Sequence, residues 1–175
     1  MSGAGIDGIN TQPVVLGLGS NLGNSRIIVQ NAIIILKEEL KELRCASLYE
    51  TDPLYVTDQA RFINTVIMGL YRDTPGKLLS RIHEIETSFG RDRARERRWG
   101  ERFLDIDILL FGDLLVYEPD LIIPHPRMKE RCFVLEPLLE LLPDAAEPGT
   151  GISYKSICQV LPDQGVRKLS FRSGC

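Results

Sequence analysis

The chain has 175 residues, of which 43% are hydrophobic and 26% charged, and its formal net charge is −3. This length and composition favour one globular domain with a substantial core. The weak negative charge argues against general binding to nucleic acid or to an acidic membrane surface. The first ten residues lack the basic and apolar regions of a secretory signal. No apolar run approaches the roughly 20 residues that span a bilayer. We therefore expect a cytoplasmic protein with a flexible leader at residues 1–12 and a single domain at residues 13–175.

The hydrophobic pattern predicts alternating strands and helices. In chain order it predicts a strand at residues 14–18, a helix at 25–43, and strands at 45–50 and 62–71. A second helix is expected between Thr74, a natural N-cap before Pro75, and Gly90. The segment FLDIDILLFG then predicts a buried strand, and two helices and a closing strand follow. The order β-α-β-β-α-β predicts an α+β fold, a ferredoxin-like sandwich with helices packed on a largely antiparallel sheet.

The segment GLGSNLGN follows the first predicted strand and precedes a helix. Its glycine spacing is one residue too long for a dinucleotide-binding fingerprint, and no Gly-Lys-Ser/Thr follows as in a P-loop. We favour a tight turn with Ser20, Asn21 or Asn24 near the helix cap. Direct contact between a ligand and the backbone N–H groups stays open as an alternative.

Residues 91–102, RDRARERRWGER, hold six arginines and three acids, which leaves a local charge of +3. Such a run is often a solvated surface loop. Here arginine is used throughout and lysine never, which suits bidentate binding of phosphate or carboxylate groups. Trp99, the single tryptophan, lies within the run and could stack on a base or a guanidinium. We therefore favour a phosphate-binding segment.

Asp105 and Asp107 interrupt the apolar strand that follows. Side chains alternate along a strand, so both carboxylates lie on one face, with roughly 7 Å between their Cα atoms. Ile106, Ile108 and Leu110 are expected to face the core on the other side. Two carboxylates so close repel each other unless a cation lies between them. Mg²⁺ is commonly held by one or two carboxylates and substrate phosphates, which favours a metal site over a pair salt-bridged to arginines.

Together the arginines and aspartates predict a phosphoryl-transfer site without a P-loop. The metal would bridge the phosphates of ATP, and the arginines would neutralise the charge of the transferred group. His125 lies between two prolines in the basic segment PHPRMKER. A lone histidine is most often structural, but in this setting we expect it to donate to a phosphate oxygen.

Four segments in the same order resemble the 6-hydroxymethyl-7,8-dihydropterin pyrophosphokinases of folate biosynthesis. They are GLGSNLGN, YETDPLYVTDQARFINTV, RWGERFLDIDILLFG and IPHPRMKER, and the similarity covers residues 14–142. The resemblance implies a ferredoxin-like α+β sandwich and two Mg²⁺ ions. The implied reaction is transfer of pyrophosphate from ATP to the hydroxymethyl group of the pterin, with release of AMP.

The resemblance also implies site residues. Asp105 and Asp107 match the metal ligands, and Arg91 and Arg102 match catalytic arginines. ATP-binding positions are implied at Glu86, Arg93, Arg98, Trp99, Arg102, Ile108, His125 and Arg131. Pterin-binding positions are implied at Thr51, Asp52, Leu54, Phe62, Asn64 and Phe133. Among these, the two phenylalanines would sandwich the flat ring, and the amide would bond to its edge.

The sequence departs from the family pattern at Phe62, where tyrosine is common, and in the arginine segment, which is one residue longer than in the best-known bacterial form. The added residue could exchange the roles of Arg93, Arg95 and Arg97. Two other functions stay open: a nucleic-acid-binding module using the arginine segment, and an ATP-dependent transferase with another planar acceptor. We expect small-molecule substrates, no nucleic-acid or membrane partner, and a monomer.

Overall fold

A computed structural model of the chain describes residues 11–53, 58–91 and 101–172. Within these residues, eight strands and four helices follow one another, with a 3-10 turn at Met128–Glu130. The strands are β1 (Gln12–Ser20), β2 (Lys41–Cys45), β3 (Ser47–Thr51), β4 (Phe62–Tyr71), β5 (Asp105–Phe111), β6 (Val116–Glu118), β7 (Leu121–Ile123) and β8 (Arg167–Arg172). The helices are α1 (Ser25–Glu39), α2 (Pro75–Ser88), α3 (Cys132–Leu141) and α4 (Tyr154–Val160).

Six of these strands form one sheet in the order β5-β1-β4-β3-β8, with β2 pairing β4 next to β3. Every pairing between them is antiparallel. Helix α1 connects β1 to β2 and β3, which both pair with β4, and α2 connects β4 to β5 on the other side of β1. This is the split β-α-β arrangement of a ferredoxin-like sandwich. The predicted fold class is therefore confirmed.

The sheet is covered on both faces, which gives two apolar cores. On one face, residues of β1 and β5 such as Leu16 and Ile108 pack against α1 and α2. On the other face, Val15 and Val66 pack against α3 and α4, together with the fully buried Tyr154. None of the helices described here has the length and apolarity needed to cross a membrane.

The first helix is shorter than predicted, because the chain turns into a strand at Leu40. Leu40 is extended, and Glu42 adopts a positive φ of 51°. The following residues pair with β4, where Arg44 lies opposite Met68. The hydrophobic pattern predicted a helix to residue 43, but pairing with β4 places residues 41–45 in a strand. A single predicted strand at 45–50 is thus two strands, β2 and β3.

The start signals of both long helices are confirmed. Asn24 caps α1, since its Oδ1 accepts a hydrogen bond of 3.3 Å from the backbone N–H of Ile27. Thr74 caps α2 in the same way, through a bond of 3.4 Å from the N–H of Lys77. Strand β1 begins at Gln12, and residues 1–10 lie outside the described residues, so the leader and the single domain stay predictions.

Strand β5 contains an irregularity that changes which side chains face the core. Val15 pairs with Leu110 but Leu16 pairs with Ile108, so Leu109 is an extra residue on β5. Leu109 and Leu110 consequently both pack in the core beneath α3. The expectation that Leu110 would face the same core as Ile106 and Ile108 is wrong for this reason.

Candidate active site

A cleft opens on the α3 face of the sheet, where β1 ends and β4 and β5 begin. Its walls come from four strands, the segments that join them, and the start of α3. The lining residues are Gly17, Leu18, Gly19, Thr51, Asp52, Pro53, Gln59, Phe62, Asn64, Thr65, Arg102, Asp105, Asp107, Leu109, Arg131, Phe133 and Val134. Both predicted metal ligands and five of the predicted pterin-binding residues thus share one cleft.

The floor of the cleft is a row of residues running across three strands. Gly19 of β1 lies between Asn64 of β4 and Asp105 of β5, and Gly17 lies opposite Asp107. Two strand spacings separate Asn64 from Asp105, so their Cα atoms lie roughly 10 Å apart. Because the central residue of the row is glycine, no side chain fills the space between the amide and the carboxylate.

These glycines correct an expectation from the sequence. Gly17 and Gly19 lie within β1 and not in a tight turn, while Gly23 has a positive φ of 69° beside the Asn24 cap. A Cβ added to Gly19 would stand 2.7 Å from Oδ1 of Asn64. The part of GLGSNLGN that precedes the turn therefore shapes the cleft floor, a role that glycine spacing alone did not reveal.

Asp105 is held by two arginines. Arg102 Nη1 donates to its Oδ2 at 2.6 Å, and Arg91 Nη1 donates to its Oδ1 at 2.7 Å. Withdrawal from bulk water would by itself raise the pKa of Asp105. The positive charges of Arg102 and Arg91 outweigh that effect and lower the pKa below its usual value. Asp105 is accordingly a carboxylate at neutral pH.

Glu86 supports this arrangement from below the cleft. Its side chain is fully buried, and its Oε1 accepts hydrogen bonds from Arg91 and, at 2.8 Å, from the backbone N–H of Ile106. Glu86 thus joins α2 to β5 and orients Arg91, which is itself only 9% exposed. The resemblance implied ATP contact here, but the structure places the carboxylate against Arg91 and the strand.

Asp107 has looser contacts than Asp105. Arg131 Nη1 lies 3.5 Å and His125 Nε2 lies 3.7 Å from its Oδ2, both beyond a good hydrogen bond. Withdrawal from water, followed by the charge of Asp105, raises the pKa of Asp107 to about 7. Asp107 is therefore an incompletely compensated carboxylate next to a second negative charge, and a divalent cation would be stabilised there.

His125 is a neutral donor at this position. Burial, followed by the charge of Arg131, lowers its pKa to about 4. Its Nδ1 accepts a hydrogen bond of 3.2 Å from the backbone N–H of Arg127, so the proton is assigned to Nε2. The Nε2 atom lies 3.7 Å from Oδ2 of Asp107, and the expected donation to a phosphate oxygen stays a prediction.

The wall of the cleft opposite the two aspartates carries aromatic and uncharged polar side chains, and we call it the neutral wall. Asn64 Nδ2 donates to Thr51 Oγ1 at 2.8 Å, and both side chains are buried. That bond fixes the carboxamide and leaves its oxygen toward Gly19. Phe62 and Phe133 flank the opening from β4 and α3. The guanidinium of Arg131 lies 5.6 Å from the Phe133 ring centroid, which links the aromatic and charged walls.

Not every implied site residue reaches the cleft. Ile108 is 4% exposed and packs in the core under α1 and α2, so its side chain points away. Asp52 does line the cleft, but at its rim, where it is half exposed and forms an ion pair of 2.9 Å with Arg61. The remaining four lie outside the described residues: Leu54, Arg93, Arg98 and Trp99.

The fold and the cleft together define a class: α+β enzymes with an acidic and arginine-rich site suited to phosphate transfer. The family model of 7,8-dihydro-6-hydroxymethylpterin-pyrophosphokinase (HPPK) matches residues 15–143. The chain belongs to this family, which confirms the resemblance seen in the sequence.

Proteins similar in sequence support the same family assignment. The chain is 40% identical over 161 residues to the 2-amino-4-hydroxy-6-hydroxymethyldihydropteridine pyrophosphokinase of Pseudomonas aeruginosa, covering 90% of this chain and 97% of that one. It is 36% identical to the Bacillus subtilis enzyme of the same name, covering 91% of each. It is also 36% identical to the Folic acid synthesis protein fol1 of Pneumocystis carinii, covering 91% of this chain but 21% of that one. The chain thus spans about a fifth of this fungal relative and most of the bacterial ones.

Solved structures share the fold. A structure described as HPPK-DHPS in complex with substrates superposes with a TM-score of 0.71 at 13% identity, covering 91% of this chain and 46% of that chain. The wild-type HPPK-DHPS of Plasmodium falciparum gives a TM-score of 0.67 at 16% identity, covering 85% and 44%. These similarities support the ferredoxin-like architecture.

Proposed function

We propose that this chain transfers pyrophosphate from ATP to the hydroxymethyl group of 6-hydroxymethyl-7,8-dihydropterin, giving AMP and the pterin diphosphate in tetrahydrofolate biosynthesis. The observation that carries the proposal is the row across the floor of the cleft. An amide suited to a pterin edge and a carboxylate suited to a metal–phosphate complex face each other over glycine. We propose that the space between them holds an acceptor next to a nucleotide.

The neutral wall is assigned to the pterin. The flat ring would stack between Phe62 and Phe133, where aromatic stacking contributes about 0.5–1.5 kcal/mol beyond buried area. The fixed carboxamide of Asn64 would bond to the donor and acceptor edge of the ring. Thr51, Asp52 and Leu54 complete the proposed pterin site from the segment after β3.

The charged wall is assigned to the nucleotide. Arg91, Arg102, Arg131 and His125 would neutralise phosphate oxygens, and for Arg131 and Arg102 the Nε atom is buried without a hydrogen-bond partner among the described residues. Glu86 would act by orienting Arg91. We extend the nucleotide site to Arg93, Arg98, Trp99 and Ile108 on the family resemblance.

Asp105 and Asp107 would hold Mg²⁺, and we propose two ions, as in the family resemblance. The donor set fits a hard cation, because two carboxylates on one face of β5 supply oxygen ligands. Phosphate oxygens and water would supply the other ligands, as is usual for Mg²⁺. When bound, the metal supplies charge neutralisation at the transferred phosphates.

In the proposed reaction the substrate hydroxyl oxygen forms a bond to the β-phosphorus of ATP. The bond from that phosphorus to the α,β-bridging oxygen breaks, AMP leaves, and the hydroxyl proton is released. The proposed reaction needs no covalent nucleophile from the chain, whose contribution would be orientation and charge stabilisation. We further propose a cytoplasmic monomer that acts on small molecules and has no nucleic-acid or membrane partner.

The first test is product analysis. The chain is mixed with ATP, Mg²⁺ and 6-hydroxymethyl-7,8-dihydropterin, and AMP is separated from ADP. We expect AMP only when both pterin and metal are present. ADP as the product would indicate single phosphoryl transfer and contradict the proposed reaction. AMP formed with other planar alcohols at equal rates would instead contradict the assignment of the acceptor.

A further inference from the structure

The contacts that the structure describes for the side chain of Arg131 are weak. Its Nη1 lies 3.5 Å from Oδ2 of Asp107, and its guanidinium carbon lies 5.6 Å from the centroid of the Phe133 ring. Its Nε is buried with no hydrogen-bond partner among the residues that the structure describes. These contacts do not determine where the guanidinium points, so its direction depends on the backbone at residue 131.

The backbone at Arg131 is held by a side chain from a distant part of the chain. Gln164 Nε2 donates to the carbonyl of Glu130 at 2.8 Å, and Gln164 Oε1 accepts a hydrogen bond of 2.9 Å from the backbone N–H of Cys132. The orientation of the amide follows from its partners, since a carbonyl can only accept and an N–H can only donate. Arg131 is extended, with φ −122° and ψ 104°, so the carboxamide bonds to the backbone on both sides of it.

The same carboxamide caps α3. The first N–H groups of an α-helix have no partner within the helix, and a polar side chain next to the helix start usually satisfies one of them. Here the N-cap residue is Arg131, whose side chain makes no capping hydrogen bond. Gln164 supplies the acceptor from 32 residues further along the chain. The helix start is therefore capped while the Arg131 side chain lines the cleft.

Gln164 is itself held in a turn between α4 and β8. The N–H of Gly165 donates to Asp163 Oδ1 at 2.8 Å, and Gly165 has a positive φ of 65°. A Cβ added to Gly165 would stand 2.8 Å from Oδ2 of Asp52, so the turn packs closely against the rim of the cleft. The turn leads into β8, which pairs with β3. The sheet thus anchors the segment from which Gln164 reaches α3.

We infer that Gln164 is a positioning residue for the proposed reaction: its carboxamide holds the backbone of Arg131 so that the guanidinium is aimed at the phosphates of the nucleotide. The inference rests on the proposed function, which assigns Arg131 to the charged wall. A guanidinium at the end of a long side chain is displaced strongly when its backbone rotates, and a misplacement of about 1 Å can cost about 100-fold in rate. Gln164 lies beyond residues 15–143, which the family model matches.

The test is a double-mutant cycle on the full chain with ATP, Mg²⁺ and 6-hydroxymethyl-7,8-dihydropterin, and its readout is kcat from the AMP released. Gln164→Met approximately retains the length of the side chain and removes both hydrogen bonds. We expect this single substitution to lower kcat about tenfold. In a chain that already carries Arg131→Met, the same substitution should lower kcat by less than about twofold, because no guanidinium is left to aim.

Gln164→Glu examines the two hydrogen bonds separately. At pH 8 its carboxylate retains the acceptor for the N–H of Cys132 and loses the donor to the carbonyl of Glu130. We therefore expect an intermediate loss of kcat, about threefold. If Gln164→Met does not fold, the cycle is completed with Gln164→Glu, and the criterion is the same: the loss of kcat must disappear when Arg131→Met is present.

Thr74→Ala is the matched control for a purely structural role. It removes the cap of α2, beyond the end of β4 that is remote from the cleft, and should lower the melting temperature without changing kcat. Equal losses of kcat with and without Arg131→Met would overturn the inference, as would an unchanged kcat in Gln164→Met. Failure of the unmodified chain to form AMP would instead contradict the proposed function.

Discussion

Glu140 and Asp107 are carboxylates on the same side of the sheet, with 29% and 35% of their side chains exposed, yet their surroundings differ. Glu140, on α3, accepts hydrogen bonds from Ser47 Oγ at 2.8 Å, Ser47 N at 3.2 Å and Tyr49 OH at 2.9 Å, and pairs with Lys168 at 3.2 Å. Its pKa is lowered, because these donors outweigh the opposing effect of burial. The pKa of Asp107 is raised to about 7 by withdrawal from water and by the charge of Asp105, and the guanidinium of Arg131, 3.5 Å away, does not outweigh these effects.

The comparison distinguishes two roles of a partly buried carboxylate. At Glu140 the folded chain itself supplies the partners of the carboxylate, so the group stabilises the fold. At Asp107 the fold leaves compensation incomplete, which costs stability and prepares the group for a ligand. Substitution of Glu140 should consequently reduce stability, and substitution of Asp107 should reduce activity. The same distinction between stability and ligand binding should hold for Gly69 and Gly19.

The largest expected effect is on catalysis. Asp107→Asn should lower kcat by on the order of 10³-fold, because the amide removes a negative charge from the proposed metal site. The melting temperature at pH 8 should stay the same or rise, since the folded chain no longer holds a poorly compensated charge. Activity assays and thermal unfolding check both results, and Asp105→Asn gives the parallel case for kcat alone, since Asp105 is compensated by Arg102 and Arg91. Near-normal kcat in both variants would contradict the metal assignment.

Glu140→Gln should have the opposite profile. We expect the free energy of unfolding at pH 7 to fall by about 2 kcal/mol, with kcat unchanged. The pKa of Glu140 is lower in the folded chain than its usual value of 4.5. Its stabilisation is therefore complete above that value and is lost as pH falls through the lower folded-state pKa. Urea unfolding at several pH values should show the difference between variant and unmodified chain shrinking in acid.

Two glycines of the sheet offer a matched pair. A Cβ at Gly69 would stand 3.0 Å from both Leu40 Cβ and the carbonyl of Lys41, so Gly69→Ala should reduce stability by about 1–2 kcal/mol. At Gly19 the obstacle is a side chain and not the backbone: Oδ1 of Asn64, 2.7 Å from the added Cβ, would have to leave its position over Gly19. Gly19→Ala should therefore raise the pterin Kd about tenfold, since one lost hydrogen bond costs about 1.4 kcal/mol.

Gly17→Ala is the control for that pair. Its Cβ would meet only the flexible end of Leu109, at 3.3 Å, so the pterin Kd should change by less than about twofold. Calorimetry with the pterin and thermal unfolding distinguish the three variants. Equal losses of stability at Gly19 and Gly69 would show that the cleft glycine serves packing and not the ligand.

The smallest effect is expected at Phe62. Phe62→Leu keeps an apolar side chain and removes the ring, which should raise the pterin Kd about fivefold by loss of stacking. The Kd of the nucleotide should not change, because Phe62 belongs to the neutral wall. A larger change in the nucleotide Kd than in the pterin Kd would mean that the two walls are assigned the wrong way round.

The sequence predicted the fold class and most of the cleft, because the underlying signals are local. Strand alternation placed Asp105 and Asp107 on one face, and caps placed the starts of both long helices. The errors concern effects that depend on distant residues. The end of α1 was missed because pairing with β4 decides it, and Leu110 was assigned to the wrong core because the extra residue at Leu109 depends on the register with β1.

Other functional features left no signal that a single sequence could reveal. Gly17 and Gly19 appeared to belong to a turn, since nothing local shows that they lie between an amide and a carboxylate. The buried position of Glu86 and the double attachment of Gln164 arise from segments more than 15 residues away in sequence. Such roles are defined by tertiary contacts and have no periodicity of their own.

The extra residue in β5 has a consequence for how this strand can evolve. Before Leu109 the α3 face of the strand carries the two acids, and after it the same face carries core leucines. Deleting one residue ahead of Leu109 would turn the aspartates into the core and the isoleucines into the cleft. Loss of Leu109 itself would restore a regular register and keep both aspartates in the cleft. A length change in this strand is therefore tolerable only where it leaves the acids and the isoleucines on their present faces.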